Sequence, residues 1–120
     1  MNSVLSGLSP KEVWEFFEEI CKIPRPSKKE GQIRQYLIDF AAERKLEHKV
    51  DKLGNLLITK AGQLGLENHR SVVLQSHLDM VGEKNAETEH DFDKDPIEPW
   101  IDGDWVKAKG TTLGADDGIG

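Results

Sequence analysis

Apolar residues along the chain fall first into two stretches of helical period. Val13, Phe16, Phe17 and Ile20 make one stripe. Ahead of it, Ser9-Pro10-Lys11-Glu12 supplies a capping serine, a proline suited to the first helical position and a glutamate three residues after the cap. Pro24 and Pro26 end that helix, because proline disfavours helical geometry in the residue before it. Ser27-Lys28-Lys29-Glu30 repeats the capping pattern, and Ile33, Tyr36, Leu37, Phe40 and Ala41 give a second apolar face ending near Arg44. The period then changes to two. Leu46, His48 and Val50 alternate with charged residues as in a half-exposed strand, Gly54-Asn55 forms a turn, and Leu56, Leu57 and Ile58 read as the next strand.

Residues 61–70 form a polar loop, and Ser71-Val72-Val73-Leu74-Gln75-Ser76-His77 follows as a nearly continuous apolar run. Such a run suits a strand covered on both faces. Residues 82–95 are rich in Glu, Asp, Asn and Lys and predict a long surface loop, uncommon unless it serves a site or is mobile. Pro96, Pro99 and the turn Asp102-Gly103-Asp104 lead into a short strand, Trp105-Val106-Lys107-Ala108. Helices followed by buried strands predict an α/β domain with a central sheet flanked by helices. The chain stops directly after Gly118-Ile119-Gly120, with no element to close the fold, so it reads as a fragment.

Charge narrows the partners. A net charge of -6 opposes a phosphate backbone, which excludes nucleic acid. No apolar stretch approaches the roughly 20 residues a membrane span needs. The opening MNSVLSGLSPKE lacks a basic region followed by a long apolar run, so no secretory signal is expected. The single cysteine, Cys21, excludes an internal disulfide and fits a reducing compartment. Beside Ile20 and Ile23 it reads as a packed, inert thiol. The expected location is the cytoplasm.

Two short motifs carry candidate chemistry. In His77-Leu78-Asp79 the residues two apart project from one side of an extended chain. A neutral imidazole there can bind zinc if a partner fixes its tautomer, as a carboxylate commonly does. Spacing leaves open whether Asp79 reaches the ring of His77 or another group of a metal shell. Alone, the motif also fits a strand-end histidine with local hydrogen bonds. Asp116-Asp117, framed by Gly114 and Gly118, is the second motif; paired acids repel, so burying either demands a cation or a proton. Alone, it also fits a solvated turn. The two become informative together, since each ends a strand-like segment, where ligand sites of α/β folds gather. If His77 and Asp116 share an ion, the ring nitrogens and carboxylate must lie within about 4 Å, given zinc–ligand bonds near 2 Å.

Trp14, Trp100 and Trp105 read as packing anchors. His48, His69 and His90 lie in polar surroundings and are expected to be exposed, with His90 able to approach a site if its loop folds over. Among the acids of residues 83–95 there is no calcium-loop pattern, and the chain has neither a phosphate-binding glycine loop nor a G-x-S-x-G elbow.

The segments Val72-Val73-Leu74-Gln75-Ser76-His77-Leu78-Asp79-Met80-Val81 and Gly110-Thr111-Thr112-Leu113-Gly114-Ala115-Asp116-Asp117-Gly118-Ile119-Gly120 resemble the aminoacyl-histidine (Xaa-His) dipeptidases. That family, also called peptidase D, belongs to the dinuclear-zinc aminopeptidase and carboxypeptidase superfamily. Leu8-Ser9-Pro10, Ile23-Pro24-Arg25-Pro26-Ser27, Asp51-Lys52-Leu53-Gly54-Asn55 and His90-Asp91-Phe92-Asp93-Lys94-Asp95-Pro96-Ile97 extend the resemblance along the whole chain. It implies that residues 1–120 are the amino-terminal portion of a zinc-peptidase catalytic domain. It further implies that His77 binds one zinc, that Asp79 supports the metal site and orients the catalytic apparatus, and that Asp116 bridges two metals. Asp117 stands where several relatives have asparagine and receives no role. The implied chemistry is hydrolysis of small Xaa-His peptides by water on a zinc pair, other divalent metals being possible, with a glutamate as general base. The family's Glu-Glu pair, a further acidic ligand, a distant histidine and the smaller lid or dimerisation domain lie beyond Gly120. On this resemblance the parent is a candidate homodimer and the 120-residue piece alone is inactive. Two alternatives stand beside it: a related zinc tripeptidase or amidohydrolase, and a non-catalytic interaction domain with His77 and Asp116 pointing apart.

Overall fold

A computed structural model describes residues 3–120. It divides into two compact units, one of residues 3–33 and 76–120, the other of residues 34–75.

In the first unit, helix α1 (Lys11–Cys21) brings Phe17 and Cys21 to the core. Phe17 and Cys21 are buried one turn apart, with Trp14 edge-on to Phe17 at 6.3 Å between ring centroids. The stripe is therefore Trp14, Phe17, Glu18 and Cys21, rotated from the predicted one; Val13 and Phe16 are exposed. The rotation follows from Glu18. Its carboxylate accepts the Val4 and Leu5 backbone N–H groups at 2.7 and 3.1 Å and the Ser3 hydroxyl, which draws that face inward beneath the preceding segment. Pro10, extended at φ -69°, ψ 136°, is the N-cap, so the helix starts one residue late and Ser9 makes no cap.

Around α1 close Leu5, Met80 and Ile97, with Leu8, Phe92, Val106, Ala108 and Leu113 packed against them. Burying a side chain of this size stabilises by about 1.5–3 kcal/mol. The Ile97 N–H donates to the Cys21 carbonyl at 2.8 Å, tying the end of α1 to the chain before a hairpin. That hairpin pairs β3 (Pro99–Asp102) with β4 (Trp105–Ala108), antiparallel, Asp102 opposite Trp105. The β4 strand was expected; β3 was not, Pro96, Pro99 and the turn reading only as the lead into β4. Trp100 and Trp105 are exposed rather than anchoring, and of the three tryptophans Trp14 alone packs against the core cluster. Residues 82–95 run as turns held by the Lys84–Thr111 bridge, and His90 is half-buried against Phe92 at 4.4 Å between centroids. The expected exposure of His90 fails because the apolar Phe92 ring draws it in.

The second unit carries most of helix α2 (Gly31–Glu43), whose Ala41 is fully buried while Tyr36, Leu37 and Phe40 are half-buried, as the spacing predicts. The Ser27 cap is not formed, because α2 begins four residues later. The hairpin β1 (Glu47–Val50) and β2 (Leu56–Thr59) pairs Val50 with Leu56. Asp51 builds its turn, accepting the Leu53 and Asn55 N–H groups at 2.8 and 2.9 Å, and Gly54 takes the φ of +90° that such a turn favours in glycine. His48, half-buried, contacts the Leu46 carbonyl at 3.3 Å rather than standing exposed.

The mixture of helices and small sheets bears out the α/β class. The strands form two separate two-stranded ladders, not one central sheet. The run 71–77 is not a strand: Val72, Val73 and Leu74 are 80–93% exposed, and no described residue pairs with it. Its apolar pattern states a need for cover that the described residues do not supply.

Candidate metal centre

The site lies in the first unit, where two segments are each anchored by an apolar side chain next to a functional residue. Met80, in the core, follows Asp79; Leu113, packed on that core, precedes Gly114 and the two aspartates. Both segments are thus held by burial while their polar ends stay accessible. Met80 also forms a parallel bridge with Pro26, its N–H donating to the Arg25 carbonyl at 3.0 Å.

His77 is oriented by Asp79. Its Nδ1 lies 3.0 Å from Asp79 Oδ1 and 2.9 Å from the Asp79 carbonyl. Both partners accept, so Nδ1 carries the hydrogen. This settles what spacing left open: Asp79 does reach the ring. Asp79 is held in turn by the Ser27 hydroxyl, which donates to Oδ2 at 2.5 Å. That bond is the leading cause holding the Asp79 carboxyl below its ordinary pKa, with the His77 hydrogen bond adding to it. Ser27, predicted as a helix cap, is a site residue instead.

With Nδ1 occupied, Nε2 faces two carboxylates: Asp116 Oδ1 and Asp117 Oδ2, each at 3.7 Å. Asp117 also accepts the His77 N–H at 3.4 Å. A bare imidazole lone pair facing two carboxylates is repulsive, and a proton or a metal ion between them removes the repulsion. The proton solution raises the His77 pKa above its ordinary 6.5. Desolvation opposes the rise, and the Asp79 hydrogen bonds together with the charges of Asp117 and Asp79 outweigh it.

The donor set fits a divalent ion. One ligand atom from each of His77, Asp116 and Asp117 lies within 4.8 Å of the others. Tetrahedral ligands about 2.0–2.1 Å from zinc stand roughly 3.3 Å apart, slightly closer than the 3.7 Å pairs. The Asp116 side chain, 93% exposed, can close that gap by rotation. One nitrogen and two carboxylate oxygens match what zinc accepts.

The backbone supplies the approach. Gly114 adopts φ +74°, and a Cβ there would stand 2.8 Å from Arg25 Nη2 and from Met80 Sδ. Asp116 and Asp117, joined by a cis peptide bond, lie in a single irregular turn, α3 (Ala115–Gly118). An apolar cleft lined by Trp14, Phe17, Trp105, Leu113 and Ile119 opens beside them.

Of the residues singled out in the sequence, His77, Asp79 and Asp116 come together, whereas His90 does not join them. Asp117, given no role, belongs to the cluster. Arg25, to which the sequence assigned no role, touches both segments; its place between two prolines marked only the end of a helix.

No family model matches the chain. Over 118 residues, 98% of the chain, it is 55% identical to the cytosol non-specific dipeptidase of Escherichia coli (strain K12). The crystal structure of aminoacylhistidine dipeptidase from Vibrio alginolyticus superposes with a TM-score of 0.93 at 53% identity, over 96% of the chain. The chain spans 24% of the length of each of these relatives.

Proposed function

We propose that this chain is the amino-terminal part of the catalytic domain of a cytoplasmic metallo-dipeptidase that hydrolyses Xaa-His dipeptides with two zinc ions. The observation that carries the proposal is the convergence of His77 Nε2, Asp116 and Asp117, with Asp79 fixing the histidine tautomer. An interaction domain has no need of that arrangement. The 55% identity to a dipeptidase supports the same reading.

A bound ion pair would supply an activated water and polarise the scissile carbonyl. His77 holds its ligating nitrogen toward the ion position, Asp79 keeps the hydrogen on Nδ1, and Ser27 keeps Asp79 in place. Asp116 and Asp117 would each offer a carboxylate oxygen, 3.7 Å from that nitrogen. The chain alone is expected to bind a divalent ion weakly, because its donors stand 3.7 Å apart on solvent-accessible side chains, and to hydrolyse nothing, because on the resemblance the general base lies beyond Gly120.

Isothermal titration of the metal-free chain with Zn²⁺ tests the site. Binding that weakens at least tenfold in both His77→Ala and Asp116→Asn supports it; wild-type binding unchanged by either overturns it. Substrate range is tested on a full-length protein carrying this segment, with a dipeptide panel before and after chelation. The Escherichia coli relative, a non-specific dipeptidase, favours a broader range as the second reading. A preference for carboxy-terminal histidine supports the narrower one, and equal rates across the panel support the broader.

A further inference from the structure

Arg25 stands outside the His77–Asp116–Asp117 cluster, yet both segments of that cluster meet on it. Arg25 is 3% exposed, and burial is the leading cause pulling its pKa below the ordinary guanidinium range. A buried charge is costly unless hydrogen-bonded. Here the hydrogen bonds go to backbone carbonyls: Nη1 to Leu78 at 3.1 Å and Asp79 at 3.2 Å, and Nη2 to Gly114 at 2.5 Å. One edge of the guanidinium therefore grips the segment bearing His77 and Asp79. The other grips the segment bearing Asp116 and Asp117.

Two glycines keep its seat open. A Cβ at Gly114 or at Gly118 would lie 2.8 Å from Nη2 in each case. A planar fork can bond carbonyls of separate segments at once, which the single ammonium of lysine does less well and methionine not at all.

We propose that Arg25 is a positioning residue that sets the separation between His77 and the Asp116–Asp117 pair, and through it the affinity of the cluster for a divalent cation. The inference rests on the metal-binding reading above, so its test includes a part independent of metal.

The test compares the full chain with Arg25→Met and Arg25→Lys, first metal-free by ¹⁵N NMR and then by Co²⁺ titration followed through visible absorption. In both variants the amide signals of residues 77–80 and 114–118 are expected to shift while those of the β1–β2 hairpin stay. The Co²⁺ dissociation constant is expected to rise about 10- to 100-fold, as when a partner that orients a metal ligand is lost. A purely structural role predicts a lower melting temperature with unchanged Co²⁺ affinity in the folded protein, and that result overturns the proposal. If the wild type binds no Co²⁺, the metal-binding reading fails, and the amide shifts alone judge Arg25. Unmoved signals at 114–118 then overturn it, and moved ones support it. Should Arg25→Met not fold, Arg25→Lys is held to the same two criteria.

Discussion

At the scale of single residues, the two buried charged side chains among the described residues, Glu18 and Arg25, have identifiable partners. The Glu18 carboxylate, among the few buried charges, accepts from Ser3, Val4 and Leu5. Desolvation pushes its pKa up, but those hydrogen bonds and the nearby Lys22 outweigh it and leave the pKa below 4.5. A carboxyl with a depressed folded-state pKa contributes stability that is complete above its unfolded value and is lost as pH falls through the folded one. The Glu18→Gln variant is therefore expected to melt below the wild type at pH 7, with the gap closing as pH falls below about 4.5. A pH-independent gap between pH 7 and 3 would contradict this. Cys21 shows the opposite effect: burial raises its pKa to about 12, leaving an inert thiol, as its apolar neighbours suggested.

At the scale of elements, anchoring decides what a segment can present. The turn at Gly114 joins the core residue Leu113 to the aspartates, and its left-handed backbone suits glycine. An L-residue pays about 1–2 kcal/mol in that region, and the new Cβ meets Arg25 and Met80. The Gly114→Ala variant is expected to lose about 2 kcal/mol in urea denaturation, with weaker metal binding from the displaced Asp116. A loss below about 0.5 kcal/mol would show that the turn relaxes freely. The helices teach a related lesson. Spacing placed both helices, because helix-forming preference is local, but it capped α2 at Ser27, four residues before its first residue, Gly31. It chose the wrong face of α1, because the hydrogen bonds of Glu18 draw that face inward from a segment 13 to 15 residues away.

At the scale of the whole molecule, residues 61–75 have little holding them. Val72, Val73 and Leu74 are exposed, and the segment pairs with no strand among the described residues. Limited elastase digestion is expected to cut first within 61–75, leaving α1 and the β3–β4 hairpin intact. A first cut inside α1 would contradict the assigned core.

Much of this was readable from the residues in order. The two helices, the Gly54-Asn55 turn and the β4 strand follow from dihedral preferences and hydrogen bonds that act within about four residues. His77, Asp79 and Asp116 were recognisable as ligand-type residues in suggestive local frames. Their convergence was not readable, since the His77 N–H and the Asp117 carboxylate it reaches are 40 residues apart. Nor was the grip of Arg25 on Leu78, Asp79 and Gly114, 53, 54 and 89 residues away. The run 71–77 shows the limit from the other side, its pattern recording a preference for burial without the partner to satisfy it. Local preferences write themselves into spacing; which distant groups meet depends on how the core around Phe17, Met80 and Ile97 packs, and packing is a property of the folded chain.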